Sequence, residues 1–525
     1  MQFIMLSKRS LLWASLLAIA FSQFIAACGG SSSSSNGPVD LTVWTTQAVS
    51  EVGNPDSSWS VYKIVRQKLN INLHVQFIPQ GDAGDIKVSA AAAANNLPDL
   101  FQITNLNLFR TWVQLGLVAP VDSLLPKMPQ RTRDRYSNAT LNRLVTTNGK
   151  LYALQEANLL ARPIGLFIRK DWLAKLGLQA PQTLDDFLNV AKAFTTRDPD
   201  GDGKNDTYGF GGFTTNSVTG LGNSFTAFLG AFGLPGAWNF NSSGKVSLSV
   251  RDPNYLKAIQ FIKQLSDSKV IDPEWTTLNN SDFRAKWKQG KYGMMLENFC
   301  AAECKGNYQT FDTNYPNGVW EQFGPLQGPA GTTSYLGSYS NAGLRMAVSQ
   351  KGMNAGKADA IARFLEWANS GEGYYLLGYG TKGVNYTLDA QGNVTTAGVP
   401  TPFTDHAGAP VTQMRNIVYR SDPAELKVRY PSFTAKNGRK IDPIQIYNTI
   451  ASMPWQDQTS ADAIPPASNQ SDLNRYIDEG LVQFVTGQKA LTATNWSAFL
   501  QGLNSLNAAD WEAKANQTLK DKGLL

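Results

Sequence analysis

Residues 71–77 read Ile71-Asn72-Leu73-His74-Val75-Gln76-Phe77, four apolar side chains in strict alternation with polar ones. A period of two marks a strand that buries one face. Upstream, Leu41-Thr42-Val43-Trp44 is a second short strand that runs into Thr45-Thr46-Gln47. Between the two, Tyr62, Val65, Arg66 and Leu69 recur at i, i+3, i+4 and i+7, a helical spacing. Downstream, the alanine-rich stretch Asp85 to Asn95 reads as a helix. Asn95-Asn96-Leu97-Pro98-Asp99 then introduces a third strand, Leu100-Phe101-Gln102-Ile103. Strand, helix, strand, helix, strand at this spacing predicts a largely parallel sheet of the α/β class.

The pattern resumes further on. Leu166-Phe167-Ile168 is a strand leading into a helix over Lys170 to Leu176, closed by Gly177. Thr183-Leu184-Asp185-Asp186 is a relative of the capping box, and Leu184, Phe187, Leu188 and Ala191 follow at helical spacing. Ile361, Phe364, Leu365 and Ala368 repeat that spacing before Ser370-Gly371.

Composition narrows the function. The 525 residues hold two histidines and three cysteines, too few for a multi-histidine metal enzyme or a Cys₄ zinc module. The net charge of +6 comes without a Lys/Arg block beyond the interrupted Arg131-Thr132-Arg133-Asp134-Arg135, so a nucleic-acid partner is not expected. Only 17% of residues are charged, while 11% are aromatic.

The amino terminus reads as an export signal. Lys8 and Arg9 precede an apolar run from Leu11 to Phe21, too short for a bilayer span. Ile25-Ala26-Ala27-Cys28 follows, and this resembles the lipobox of bacterial lipoproteins. The resemblance implies removal of residues 1–27, lipidation of Cys28, and a Gly/Ser tether over 28–38 that holds the body at the outer face of the cytoplasmic membrane. An uncleaved anchor is the alternative. In an oxidising compartment Cys300 and Cys304 are positioned for a short disulfide.

Further motifs carry a family resemblance when taken in order. They are the lipobox, the serine-rich tether, Leu41-Thr42-Val43-Trp44-Thr45, Asn96-Leu97-Pro98-Asp99, Gly149-Lys150-Leu151-Tyr152-Ala153-Leu154 and Phe167-Ile168-Arg169-Lys170-Asp171-Trp172-Leu173. Pro181-Gln182-Thr183-Leu184-Asp185-Asp186-Phe187, Gly290-Lys291-Tyr292-Gly293-Met294-Met295 and Gly383-Val384-Asn385-Tyr386-Thr387-Leu388 complete the set. The chain resembles family 1 extracellular solute-binding proteins of ABC importers, and among them the oligosaccharide- and alginate-binding lipoproteins. The resemblance implies a two-lobed, type II periplasmic-binding-protein-like α/β fold with a hinge of several crossings and a ligand cleft between the lobes. Crossings are expected near 156–162, 331–339 and 371–379. One lobe then covers 39–157 plus 338–372, and the other 163–331 plus 380–525. Permease subunits in the membrane are the implied protein partners of a monomer.

One local motif is sharper. Asp198-Pro199-Asp200-Gly201-Asp202-Gly203-Lys204-Asn205-Asp206 sets carboxylates at positions 1, 3, 5 and 9 of an EF-hand-type loop, with glycine at position 6. This predicts a structural Ca²⁺ held by Asp198, Asp200, Asp202, Asp206 and the Lys204 carbonyl. The departure is position 12, normally a bidentate Glu, which is Gly209; Thr207 follows Asp206 where the resembled proteins carry an acid.

A carbohydrate cleft stacks aromatic rings on pyranose faces and offers amides, carboxylates and hydroxyls to the sugar hydroxyls. The candidates lie where strands run out toward the expected crossings: Trp44, Thr45, Gln47, Thr104, Asn105, Glu156, Asn158, Glu297, Phe299, Tyr335, Tyr339 and Tyr379. Trp238 and Trp455, in irregular stretches, are added candidates. Arg162, Arg169 and Arg345 are the cations near the crossings that a uronate ligand would use. No nucleophile elbow, HExxH helix or Walker A loop occurs in the sequence, and no catalytic residue is assigned. The readings to be weighed against a binding protein are a secreted polysaccharide-degrading enzyme and a surface adhesin or scaffold lipoprotein.

Overall fold

The computed structural model describes residues 37–46, 54–79, 82–215, 220–240, 244–403, 414, 417 and 423–525. The expected signal peptide, most of the tether with Cys28, and Gln47 lie outside them. Strands Val39–Thr46 and Ile71–Ile78 pair in parallel, Val43 opposite Val75, and Leu100–Gln102 adds on the other side with Leu100 opposite Val43. The helix Ser60–Leu69 supplies the crossover and buries Val61 and Val65, one position round from the face that the Tyr62–Val65–Leu69 spacing implied. It stops at Asn70, whose left-handed backbone (φ 54°) lets its N–H return to the Arg66 carbonyl.

Local pattern did not reach the other half of this sheet. Ala342–Val348 enters antiparallel to Leu100–Gln102, and Leu154–Ala157 closes the edge, giving five strands. Ile103, expected to extend the third strand, instead donates its N–H to the Arg345 carbonyl.

A second mixed sheet has the order Trp320–Phe323, Ile164–Arg169, Tyr292–Asn298, Tyr208–Gly211. The helix Leu184–Thr196 packs against it and opens with a full capping box between Thr183 and Asp186. Its Phe187 meets Phe210 and Phe228 edge-on, with ring centroids 5.7 and 5.0 Å apart. Among the described residues no helix is long and apolar enough to cross a membrane.

Residues 158–163 and 324–341 join the two sheets, close to where two crossings were expected. The third expected crossing, 371–379, is a helix, Gly371–Tyr379, packed on the helix Ala358–Ala368. Its aromatic run explains the correction: Tyr379 is fully buried with Tyr386 and Phe403, and Glu372 pairs with Lys68 of the first sheet's crossover helix at 2.6 Å. The additional link comes from the C-terminal part. Trp455–Asp457 pairs in parallel with Gly337–Tyr339, and Asp462 just beyond accepts from Ser340 (2.8 Å) and Arg345 (3.1 Å).

Beside the Tyr292–Asn298 strand, the short helix Phe299–Glu303 is followed by the helix Lys305–Asn314. Cys300 and Cys304 are joined by a disulfide, Cα atoms 4.5 Å apart. Residues 433–441 dock here: Lys436 donates its N–H to Asp312, and Arg439 reaches both oxygens of the fully buried Glu303 at 3.3 and 3.2 Å. Replacing both cysteines by serine is expected to lower stability by about 2 kcal/mol, the entropy of a five-residue loop, read as a shifted urea midpoint. An unchanged midpoint would show that packing alone holds this corner.

Candidate functional site

The connectors bring together residues that lie far apart in sequence. Asn158 donates its N–H to the Asn341 carbonyl at 2.9 Å, tying the first connector to the second. Arg162 lies over the Tyr339 ring, 4.1 Å from its centroid, and the Tyr339 hydroxyl donates to Asp457 at 3.3 Å. Tyr335 is held by its N–H on the Gly230 carbonyl, and Trp455 anchors its indole N–H on the Ile450 carbonyl. Tyr335, Tyr339, Asn158, Arg162 and Trp455 all stay half-exposed. Two arginines brace this region, Arg110 on the helix Leu106–Gln114 and Arg345 on the strand Ala342–Val348. Arg110 donates to the Ile464 carbonyl at 3.4 Å, and burial, with Arg345 nearby, pushes its pKa down to about 10.

At the strand ends of the first sheet the candidates divide. Trp44 is half-exposed, with Lys87 Nζ 5.7 Å from its ring centre. Thr45 is fully buried and spends its hydroxyl on Gln102 (3.0 Å). Thr104 and Asn105 both donate to Asp85, and the Asn105 carbonyl oxygen also caps the helix Leu106–Gln114; both remain half-exposed. Glu156 is buried, 3.8 Å from Arg135.

In the second sheet, Glu297 is buried and gripped by Arg284 through two bonds of 2.8 and 3.0 Å. Phe299 is core, its ring 5.4 Å from Tyr430 and 5.3 Å from Tyr447. Trp238 packs on Trp511 at 4.7 Å. Trp238, Phe299 and Tyr379 are therefore corrections: neighbouring rings cover the faces expected to meet a ligand, because an aromatic in a Gly- or strand-flanked stretch is equally suited to a core. Arg169 is likewise buried among Trp172, Phe311, Tyr315 and Trp320 and paired with Asp171. Asp457 and Asp462 were missed, and nothing local marks them.

The acidic loop has its own geometry. Carboxylate oxygens of Asp198, Asp200 and Asp202 lie within 4.8 Å of one another. Asp198 Oδ1 accepts the N–H groups of Gly201 (2.9 Å) and Asp202 (3.1 Å), which wraps the loop around it. Burial raises the Asp200 pKa, and the carboxylates of Asp198, Asp202 and Asp206 add to the effect. Asp200 Oδ1 and Asp206 Oδ1 are buried with no hydrogen-bond partner, as ligands awaiting a cation would be. Lys291 occupies the other Asp206 oxygen at 2.6 Å.

The loop's departures from an EF-hand have a physical cause. Thr207 turns inward to the Phe194 carbonyl (2.8 Å), and Gly209 is already inside the Tyr208–Gly211 strand. A Cβ at Gly209 would stand 2.3 Å from the Ala191 carbonyl oxygen, so no glutamate fits at position 12.

Residues 56–375 match the family model described as bacterial extracellular solute-binding protein. Among curated relatives, the polygalacturonan/rhamnogalacturonan-binding protein YtcQ of Bacillus subtilis is 26% identical over 390 residues, covering 71% of this chain and 73% of its own. Lipoprotein LipO of the same organism is 26% identical over 373 residues, covering 70% and 72%. Among solved structures, the S. pneumoniae ABC-transporter substrate-binding protein FusA in complex with kestose superposes with a TM-score of 0.64 at 19% identity, covering 92% of this chain and 99% of that one. An EF-hand mutant of FusA in complex with fructo-nystose gives the same TM-score.

Proposed function

This chain belongs to the family of bacterial extracellular solute-binding proteins, and from that membership we propose that it captures an oligosaccharide between its lobes and delivers it to an ABC permease. Its fold is the two-lobed, periplasmic-binding-protein-like arrangement of α/β lobes. The observation that carries the proposal is the set of half-exposed rings and amides at the connectors: Tyr335, Tyr339, Trp455 and Asn158, with Trp44, Thr104 and Asn105 on the first lobe. Flat rings cover the C–H faces of sugars while amides and hydroxyls pair with their hydroxyl groups. YtcQ and FusA, named for sugar ligands, support the same class.

Capture works by closure. A ligand touching both lobes favours the closed state by its extra affinity for that state, and by no more than that. The short connectors 158–163 and 324–341, with the Gly337–Tyr339 and Trp455–Asp457 pair, are where backbone rotation would be taken up. The ligand leaves chemically unchanged, and the buried carboxylates Glu156 and Glu297 serve as anchors for Arg135 and Arg284, not as acid and base. Cys28 carries the lipid that holds the monomer at the outer face of the membrane, in line with a relative named as a lipoprotein.

A Ca²⁺ ion completes the acidic loop, held by Asp198, Asp200, Asp202, Asp206 and the Lys204 carbonyl; the FusA EF-hand mutant supports a loop of this kind in a similar fold. The ion supplies charge neutralisation and stiffens the turn between the helix Leu184–Thr196 and the strand Tyr208–Gly211.

A thermal-shift screen with neutral and acidic oligosaccharides tests the proposal. At least one sugar is expected to raise the melting temperature and to be recovered intact by mass spectrometry. Cleaved or unsaturated products would make the protein an enzyme, and no shift with any sugar would remove the ligand class. With the responding sugar, Tyr339→Ala is expected to weaken binding by about tenfold or more, since a ring buries well over 100 Å². An unchanged Kd would place the sugar elsewhere.

A further inference from the structure

The helix Asn280–Lys288 sets Ser281, Arg284, Ala285 and Lys288 at i, i+3, i+4 and i+7, on one face. Across from it, the helix Lys305–Asn314 brings up Thr310 and Asn314. Together with Gln289 these residues line a groove of 480 Å³. Two of the lining side chains are cations and none is a carboxylate.

The cations are only partly spent. Arg284 gives Nε and Nη2 to Glu297, and among the described residues Nη1 has no partner. Lys288 Nζ lies 5.5 Å from the centre of the Trp287 ring and has no hydrogen-bond or ion-pair partner among the described residues. Burial, then the nearby Arg284 charge, lowers its pKa, against the opposing pull of Glu297. Like charges one turn apart destabilise a helix; Glu297 offsets part of that repulsion, and a bound anion would offset the rest. The hydroxyls of Ser281 and Thr310 stand at the same groove, able to donate to oxygen.

We propose that this groove is an oxyanion site, in which Arg284 Nη1 and Lys288 Nζ together bind the carboxylate of an acidic sugar or a phosphate group. Guanidinium and ammonium bonds to oxyanions are the stronger, charge-assisted kind. The site goes beyond capture at the connectors and does not depend on it.

Isothermal titration of the calcium-saturated protein at low ionic strength tests this, with sodium glucuronate in one arm, inorganic phosphate in another, and glucose as the uncharged control. Saturable binding is expected in at least one anion arm and absent with glucose. Glucuronate alone identifies a sugar acid, phosphate alone a phosphate group, and both the shared oxyanion chemistry. Lys288→Gln is expected to weaken the binding about tenfold, the loss of one charge-assisted bond. Ser281→Asp, which places a carboxylate in the groove, is expected to abolish it. Ser281 is exposed and Lys288 half-exposed, and a melting curve like the wild type's would confirm the fold is kept. No saturation in either anion arm, or full-strength binding by both variants, would overturn the proposal.

Discussion

Excess EGTA is expected to lower the melting temperature of the calcium-loaded protein by several degrees, and Asp200→Ala to erase the difference. In the loop four carboxylates crowd into nine residues, two of them with a buried, unpartnered oxygen. Without a cation, that arrangement leaves desolvated negative charge facing negative charge. Lys291 on Asp206 and Lys175 on the Asp198 carbonyl relieve part of it, but Asp200 has no cationic partner of its own among the described residues. A ligand present at a hundred times its Kd stabilises the folded state by about 2.7 kcal/mol. For a chain of this size that is a shift of a few degrees. Asp200 is the residue to remove because its buried Oδ1 has no partner, and burial, then the neighbouring carboxylates, raises its pKa. Identical melting curves in millimolar calcium and in EGTA, with no calcium retained on dialysis, would reduce the loop to an acidic surface turn.

The second large effect is a pH dependence set by Glu303. Burial pushes its pKa up to about 7, well above the usual carboxylate range, against the pull of Arg439. A carboxyl group whose folded pKa lies above its unfolded one binds its proton more tightly in the folded state. Its contribution is therefore fully present below about pH 4.5 and is lost as pH rises toward 7. The size is on the order of 3 kcal/mol, from a pKa raised to about 7 at about 1.4 kcal/mol per pH unit. Glu303→Gln cannot titrate. From urea unfolding at constant calcium, wild type should thus lose about that much stability relative to Glu303→Gln between pH 4.5 and 7. Parallel pH profiles for the two proteins would show that Glu303 stays ionised beside Arg439. Since Arg439 holds residues 433–441 against the helix Phe299–Glu303, limited proteolysis of that segment offers an independent readout of the same proton.

Where the reading of the sequence succeeded, the signal was local. The alternation of Ile71 to Phe77, the capping box at Thr183 and the spacing that gathers the carboxylates of Asp198, Asp200 and Asp202 each need only near neighbours to express themselves. It failed where a residue's role depends on a distant partner. Tyr379 looked like a hinge aromatic but belongs to a cluster closed by Phe403. Phe299 followed a strand, as a ligand-facing ring would, yet Tyr430 and Tyr447 arrive from more than a hundred residues away to cover it. Asp462 went unnoticed because its partners, Ser340 and Arg345, are over a hundred residues upstream.

The sequence by itself determined the α/β class, the parallel start of the first sheet and the acidic loop, since hydrophobic period and close-range hydrogen bonding are properties of short segments. Only the tertiary structure decided which strands complete each sheet, which aromatics stay half-exposed, and which carboxylates are consumed by arginines. Those outcomes depend on burial, and burial is created by chain segments that meet only once the whole molecule has folded.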